Sequence, residues 1–358
     1  MRIDRRELVN KLKTIKSVIP KEKEQLIYGV LYDNGTVIAD NANMRIEAKL
    51  DVQETLTDDK FVIPAKAVEY IECLSSDYVD IDASKTMLTI KTRNGSAKFA
   101  ALNADEFLER PQVTEDSTLI TDAEDFTYRI AKVLYACAAE GFYSGPLIRG
   151  TAGGIDLVGC DGFCLAKNEI HQISDIDVSV PKEAIKKLIQ LDLKGELKIT
   201  QSKTKTVLSS ESYTIYASLL TGKYIEYQKL FSIGTGHSAT VNRLQLAEII
   251  KRVKVLIQGN KTTCMVIRKK DENLLTISAK TSTVDFSEDV EYSGELTEGF
   301  EMGINSTYLE NAVHELEGDT VTMQLETAVT PCEIKEGGFN ALILPVRLKK
   351  KQVENNDQ

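Results

Sequence analysis

One compound pattern runs through this chain three times. An acidic residue or Asn leads into an amphipathic helix, then strand-like runs, a second helix and further strand-like runs. The first helices start at Asp4 (DRRELVNKLKTI), Asp122 (DAEDFTYRIAKVLYA) and Asn242 (NRLQLAEIIKRVKVLI), spaced 118 and 120 residues apart. Asp and Asn suit these starts because their side chains accept bonds from the unpaired N–H groups of a first helical turn. The second helices follow Pro64 (IPAKAVEYIECL), Pro181 (VPKEAIKKLIQL) and Asn305 (INSTYLENAVHEL). Proline costs nothing at a first helical position, where its missing N–H has no partner to lose. Each second helix gives way to alternating apolar and polar residues, the signature of half-buried strands, with Asn94-Gly95 and Gly337-Gly338 as turn dipeptides.

The repeat therefore predicts an α+β protein of three similar domains, each with two helices packed on antiparallel sheets. The boundaries read as 1–112, 113–236 and 237–348, with a polar tail over 349–358. A chain of 358 residues is long enough for this. No run approaches the roughly 18 apolar residues of a membrane span, and the charged start MRIDRRELVNKLKTIK lacks a signal core, so a cytoplasmic location is expected. The six cysteines are scattered and read as free thiols.

Charge carries the next clue. Lys and Arg total 44 against 54 Asp and Glu, a net charge of −10. Yet cations gather on the helices away from their apolar stripes. In the first repeat, Arg6 and Lys13 oppose the stripe of Leu8, Leu12 and Ile15, while Arg5, Lys11 and Lys16 flank it. In the second, Arg129 and Lys132 project from the first helix, and Lys182, Lys186 and Lys187 stand on the second. In the third, Lys251 and Lys254 point away from the stripe, with Arg243 and Arg252 at its edges. Equivalent basic helices on an acidic protein suit a polyanion. Lys and Arg are also common on solvated helix faces, so charge alone leaves both readings open.

Chemistry at a catalytic centre finds little support. His171, His237 and His314 are far apart, and Cys160-x3-Cys164 has no second ligand pair beside it. Thr221-Gly222-Lys223 lacks the earlier glycine of a phosphate loop. No cofactor or metal is expected. A pair of acids brought together by folding stays open at this level.

Several ordered motifs resemble the bacterial sliding clamp family, the β subunit of DNA polymerase III, from Met1 to about Leu348. They are KFVIPAKAVEYIECL followed by AKFAALNADEFLERP, then LVGCDGFCLA, LTGKYIEYQKLF and ALILPVRL. The resemblance implies the DNA-clamp fold and a ring-shaped head-to-tail homodimer. Helices would line a hole holding double-stranded DNA without reading its sequence, and the ring would tether a polymerase by raising effective concentration. It implies no catalysis. The DNA-facing candidates are the cations named above together with Lys66, and the bore is expected to be unevenly basic because the last helix carries no Lys or Arg.

The resemblance also implies two further sites. A ring-closing interface would set Lys91, Arg93, Lys98 and Phe99 against Leu256, Ile257, Asp285, Glu288, Asp289 and Glu291. Opposite charges at opposite ends favour head-to-tail register. On an isolated chain the same charges would simply guard an edge strand. A pocket for short linear motifs of the polymerase, clamp loader and repair proteins would be formed by Cys160, Gly162, Phe163, Leu165, Ile225, Lys229, Leu230, Leu342, Leu344, Pro345, Val346 and Arg347. Here the chain departs from the family. Phe163-Cys164 stands for the usual His-Arg, Ile225 for Pro, and Leu344 and Val346 for two Met. Leu and Val adapt less than Met, so the preferred motif is expected to differ. The rival reading is a three-domain protein scaffold that never encircles DNA.

Overall fold

The computed structural model describes residues 1–20, 28–51, 60–232, 236–259 and 264–348. Residues 233–235, just before the expected boundary at 236/237, and the tail from 349 onward lie outside the described residues. Six α-helices are present among those described: α1 (Arg5–Ile15), α2 (Ala65–Cys73), α3 (Ala123–Ala131), α4 (Lys182–Gln190), α5 (Arg243–Ile257) and α6 (Ser306–His314). They pack in the anticipated couples, α1 with α2, α3 with α4 and α5 with α6. The N-caps stand where the sequence placed them. Asp4 accepts from Glu7 N at 3.0 Å, Asp122 from Asp125 N at 2.9 Å and Asn242 from Gln245 N at 2.9 Å. Pro64 and Pro181 occupy the N-cap, one position earlier than anticipated, with ψ of 149° and 134°. Their fixed φ suits either position, and the preceding strand holds ψ extended.

The chain divides into two compact units. The first comprises Met1–Ala131, Ile148–Thr151 and Ile173–Leu220; the second comprises Lys132–Leu147, Ala152–Gln172 and the chain from Thr221. In the first unit, one antiparallel sheet runs in the order Lys60–Pro64, Gly29–Asp33, Thr36–Asp40, Met44–Lys49, Tyr213–Ser218, Lys205–Ser209, Glu196–Gln201, Ser117–Asp122. The pairing of Tyr213–Ser218 with Met44–Lys49 (Ile215 opposite Ile46) fuses strands of the first and second repeats. A smaller sheet runs Arg2–Asp4, Tyr78–Ala83, Met87–Thr92, Gly95–Ala100. Its alternation buries Val79, Ile81, Leu88 and Ile90 on one face. The turn into its last strand falls on Arg93-Asn94, one residue before the expected dipeptide, because Thr92 pairs with Gly95.

In the second unit the strands follow the order Gly154–Cys160, Cys164–Ile170, Phe339–Ile343, Cys332–Glu336, Thr320–Gln324, Ser238–Asn242, Asp285–Glu295, Leu274–Lys280, Cys264–Lys269, Glu301–Asn305. Here Cys164–Ile170 pairs with Phe339–Ile343, so that Leu165 faces Leu342. The middle repeat thus lends strands to both units.

A buried ionic cluster locks the first unit. Arg45, 4% exposed, donates to Glu47 at 2.8 Å, to Asp40 at 3.3 Å and to the Leu108 carbonyl at 2.9 Å. Removing one partner of such a cluster strands the others without water. Arg45→Ala is expected to destabilise the protein by about 3–5 kcal/mol, read as a lowered denaturant midpoint; a change under about 1 kcal/mol would show that the cluster is not structural.

Candidate functional site

The second unit carries a cleft built on the hairpin of Gly154–Cys160 and Cys164–Ile170. Its tip turns over three residues because Asp161 Oδ1 accepts the N–H groups of Phe163 at 2.8 Å and Cys164 at 2.7 Å. Gly162 takes the φ of +90° that the turn requires. The turn thrusts Phe163 outward, 64% exposed. Beyond the neighbouring strand, Leu344 N donates to the Phe163 carbonyl at 2.9 Å, seating the chain end beside the turn. Val346 N donates to the Gly303 carbonyl at 2.8 Å.

Below the turn lies an apolar floor of Leu147, Val158, Cys160, Leu165, Tyr224, Tyr227 and Leu342, with Phe142, Tyr143, Ile225 and Phe231 packed against it. Edge-on rings form its seam. Tyr143 and Tyr224 have centroids 5.0 Å apart, and Phe142 and Tyr224 5.8 Å. The ring of Phe142 lies so close over Gly222 that an added Cβ would meet it at 2.6 Å. The short helix Tyr227–Ser232 is braced from beneath by Asp156, a buried carboxylate that accepts Tyr227 Oη at 2.7 Å and has Lys167 Nζ at 3.7 Å.

Of the expected pocket residues, Cys160, Leu165 and Leu342 are floor, 3%, 4% and 6% exposed, rather than open contacts. Leu230, Leu344 and Val346 are exposed, as are Lys229 and Arg347, while Ile225 and Pro345 are half-buried. Lys229 forms an ion pair with Glu226. Phe142, Tyr143, Tyr224 and Tyr227 are not among the residues the sequence singles out, although Tyr224 and Tyr227 stand in a motif it marks. Burial raises the thiol pKa of both Cys160 and Cys164, so both stay protonated and act as packing groups.

The cationic candidates divide by partner. Lys16 pairs with Glu72 at 2.8 Å, Arg129 with Asp125 at 2.7 Å, Lys186 with Glu183 at 2.8 Å, Arg252 with Glu288 at 2.7 Å, and Lys254 with Glu310. Arg5 donates to the Ser76 carbonyl, Arg243 to that of Gly318, and Lys187 to Gln190; Lys11 sits 4.1 Å over the Tyr213 ring. Arg6, Lys13, Lys66, Lys182 and Lys251 have no ion-pair partner among the described residues. Lys132 departs from expectation. The α-helix ends at Ala131, and its side chain, 13% exposed, pairs with Glu317 at 2.8 Å.

Two of the open strand edges bear the residues expected at a ring-closing interface. Gly95–Ala100 ends its sheet and carries Lys98 and Phe99, whose ring lies 5.8 Å from Tyr70. Lys91, on the next strand, pairs with Asp82 at 3.5 Å, and Arg93 is exposed in the turn. The stretch 285–291 pairs with Leu274–Lys280 on one side, and its other edge has no strand partner among the described residues. Of its acids, Asp285 pairs with Lys280, Glu288 with Arg252 and Asp289 with Lys270, whereas Glu291 is exposed. One expected contact needs correction. Ile257 is 4% exposed and belongs to the buried stripe of α5 with Leu246, Ile249, Ile250 and Val253. Leu256 (37%) and Val255 (68%) are the apolar side chains the end of α5 offers.

Among the described residues, no group of three or more His, Cys, Asp or Glu is placed to hold a metal, and no helix is long and apolar enough to cross a membrane.

Comparison with known proteins agrees with the resemblance read from the sequence. The family described as DNA polymerase III beta subunit, C-terminal domain, matches residues 229–347. The "Beta sliding clamp" of Helicobacter pylori strain J99 is 21% identical over 352 residues, covering 93% of each chain. The Pseudomonas aeruginosa DNA polymerase sliding clamp, solved with a ligand, superposes with a TM-score of 0.90 at 19% identity, covering 97% of this chain and 99% of that one. A sliding clamp from Bartonella birtlesii, solved bound to griselimycin, reaches 0.88 at 18% identity over the same shares. The fold is that of the DNA polymerase III β subunits.

Tyr227→Phe deletes the hydroxyl that Asp156 accepts and leaves a buried carboxylate short of a partner. The expected loss is about 1–3 kcal/mol of stability, measured by denaturant unfolding; an unchanged midpoint would mean that Lys167 and Gln228 satisfy Asp156 without it.

Proposed function

We infer that this chain, which has the fold of the bacterial DNA polymerase III β subunits and is similar to them along almost its whole length, is a sliding clamp. Two copies close head to tail into a ring of six domains, three from each chain. The ring encircles double-stranded DNA, tethers the replicative polymerase and recruits the clamp loader and repair proteins through short linear motifs. It makes and breaks no bond, and it works in the cytoplasm, on the nucleoid. The observation that carries this reading is the thrice-repeated helix couple on a fold matched over 97% of the chain.

The charge supports it. A sliding ring needs attraction to phosphates without deep energy wells. Arg6, Lys13, Lys66, Lys182 and Lys251 supply unpaired charge, and exposed ion pairs such as Lys16–Glu72 are worth only about 0–1 kcal/mol, so a phosphate readily takes the carboxylate's place. Ring closure joins the open edge at Gly95–Ala100 to the open edge at 285–291, cation-bearing strand to acid-bearing strand, with Leu256 and Val255 against Phe99. Burying a large apolar side chain contributes roughly 1.5–3 kcal/mol, more than an exposed ion pair, so the apolar contact provides strength and the charges set register. The cleft around Phe163, Leu344 and Val346 receives the partner motif on its exposed apolar groups while the aromatic floor holds its shape.

The protein is expected to run on sizing at twice its 39.8 kDa chain mass, and Leu256→Asp is expected to leave it monomeric. Clamp loaded onto closed circular duplex should remain bound and be released when the circle is cut. Equal retention on linear and circular DNA, or a persistent monomer at micromolar concentration, would favour the scaffold reading. Replacing Arg6, Lys13, Lys66 and Lys251 with Ala should flatten the salt dependence of DNA binding by about 0.9 logarithmic units for each phosphate no longer neutralised; an unchanged slope would remove these residues from the DNA path.

A further inference from the structure

We propose that Tyr308 is a positioning residue of the motif pocket, a latch through which α6 holds the Asp161–Cys164 turn in its binding shape. The proposal rests on the pocket reading above. Tyr308 stands in the first turn of α6, where Asn305 accepts its N–H at 3.4 Å and that of Thr307 at 2.9 Å. From there its hydroxyl reaches a residue 147 positions earlier and donates to Asp161 Oδ2 at 2.5 Å. The other oxygen of the same carboxylate accepts the N–H groups of Phe163 and Cys164.

One Asp therefore serves two masters. Its Oδ1 shapes the turn, and its Oδ2 is tied to a helix. A carboxylate rotating freely about its own side-chain torsions would offer the turn a range of geometries; anchoring Oδ2 leaves one. Phe163 lies between two fixed points, its N–H held by Asp161 and its carbonyl by Leu344 N at 2.9 Å. A side chain 64% exposed has few contacts of its own to orient it. Orientation must come from the backbone, and the backbone is set by this latch. Burial and the Asp161 hydrogen bond both raise the pKa of Tyr308, which keeps its hydroxyl a donor throughout the neutral range. Since α6 packs on α5, the latch also ties the pocket turn to a helix couple proposed to face DNA.

The test uses the full-length protein in four forms: wild type, Tyr308→Phe, Asp161→Ala and the double variant. Binding is followed by anisotropy of a fluorescein-labelled synthetic peptide with leucine and phenylalanine anchors. Backbone amide exchange is measured on the same samples. Tyr308→Phe keeps the ring and loses only the donor, and it is expected to weaken peptide binding about five- to tenfold. In the Asp161→Ala background it should add less than about twofold, because the bond is already gone. Amides of Phe163 and Cys164 should exchange faster in Tyr308→Phe, with those of Leu309 and Ala312 unchanged. Equal affinity of Tyr308→Phe and wild type, an equal penalty in both backgrounds, or faster exchange along the whole of α6 would overturn the latch. Failure of the wild type to bind the peptide would instead sink the pocket reading, and the exchange measurement would still decide whether Tyr308 holds the turn.

Discussion

An open strand edge presents a row of N–H and C=O groups that must find partners in water, in another strand or under a covering element. In this chain the repeats cover two of one another's edges. Met44–Lys49 of the first repeat pairs with Tyr213–Ser218 of the second, and Cys164–Ile170 of the second pairs with Phe339–Ile343 of the third. The consequence reaches the functional surface. Leu165 and Leu342 lie side by side only because backbone pairing crosses a repeat boundary, and the cleft has no floor without that pairing. Two of the edges without a strand partner among the described residues, at Gly95–Ala100 and 285–291, are the ones proposed above to close a ring.

The cleft also shows how two carboxylates, one buried and one half-buried, organise an apolar site. Asp156 braces the helix Tyr227–Ser232, and Asp161 shapes the turn that carries Phe163. Burying a carboxylate costs several kcal/mol unless hydrogen bonds replace its water. Each of these acids has one donor from a distant part of the chain, Tyr227 for Asp156 and Tyr308 for Asp161, beside nearer ones: Lys167 for the first, and the backbone N–H groups of Phe163 and Cys164 for the second. The requirement that every lone pair be answered leaves the walls of the cleft little freedom, whereas the apolar floor alone would tolerate repacking.

Charge follows a different logic. With a net charge of −10, the chain gathers cations on its helices and lets many of them rest against acids on the neighbouring helix or turn, as in Lys16–Glu72 and Lys254–Glu310. Such pairs lie at the surface, partly open to water, where an ion pair is weak. On the sliding reading proposed above, such a surface would attract phosphates without gripping any one of them.

Much of the architecture is legible in the residues. Cap, stripe and spacing locate all six helices, and the N-caps at Asp4, Asp122, Asn242 and Asn305 stand where their chemistry predicts, because capping and helical period are local properties written within one turn. Local reading falters where one residue decides a direction. Leu256 and Ile257 are neighbours in the chain, yet the period of 3.6 buries the second and exposes the first. Lys132 reads as a helix cation, but the helix stops at Ala131 and the side chain turns to Glu317. The pocket's aromatic floor and the Tyr308–Asp161 bond are illegible for a deeper reason. Phe142, Tyr143 and Tyr308 acquire their roles only from partners far along the chain, and no period or spacing encodes which distant strand will arrive beside them. The repeated elements, their caps and their buried faces follow from the residues alone, since these depend on neighbours a few bonds away. Which edges pair and which side chains meet in the cleft emerges only on folding, since those depend on how the whole sheet satisfies its backbone.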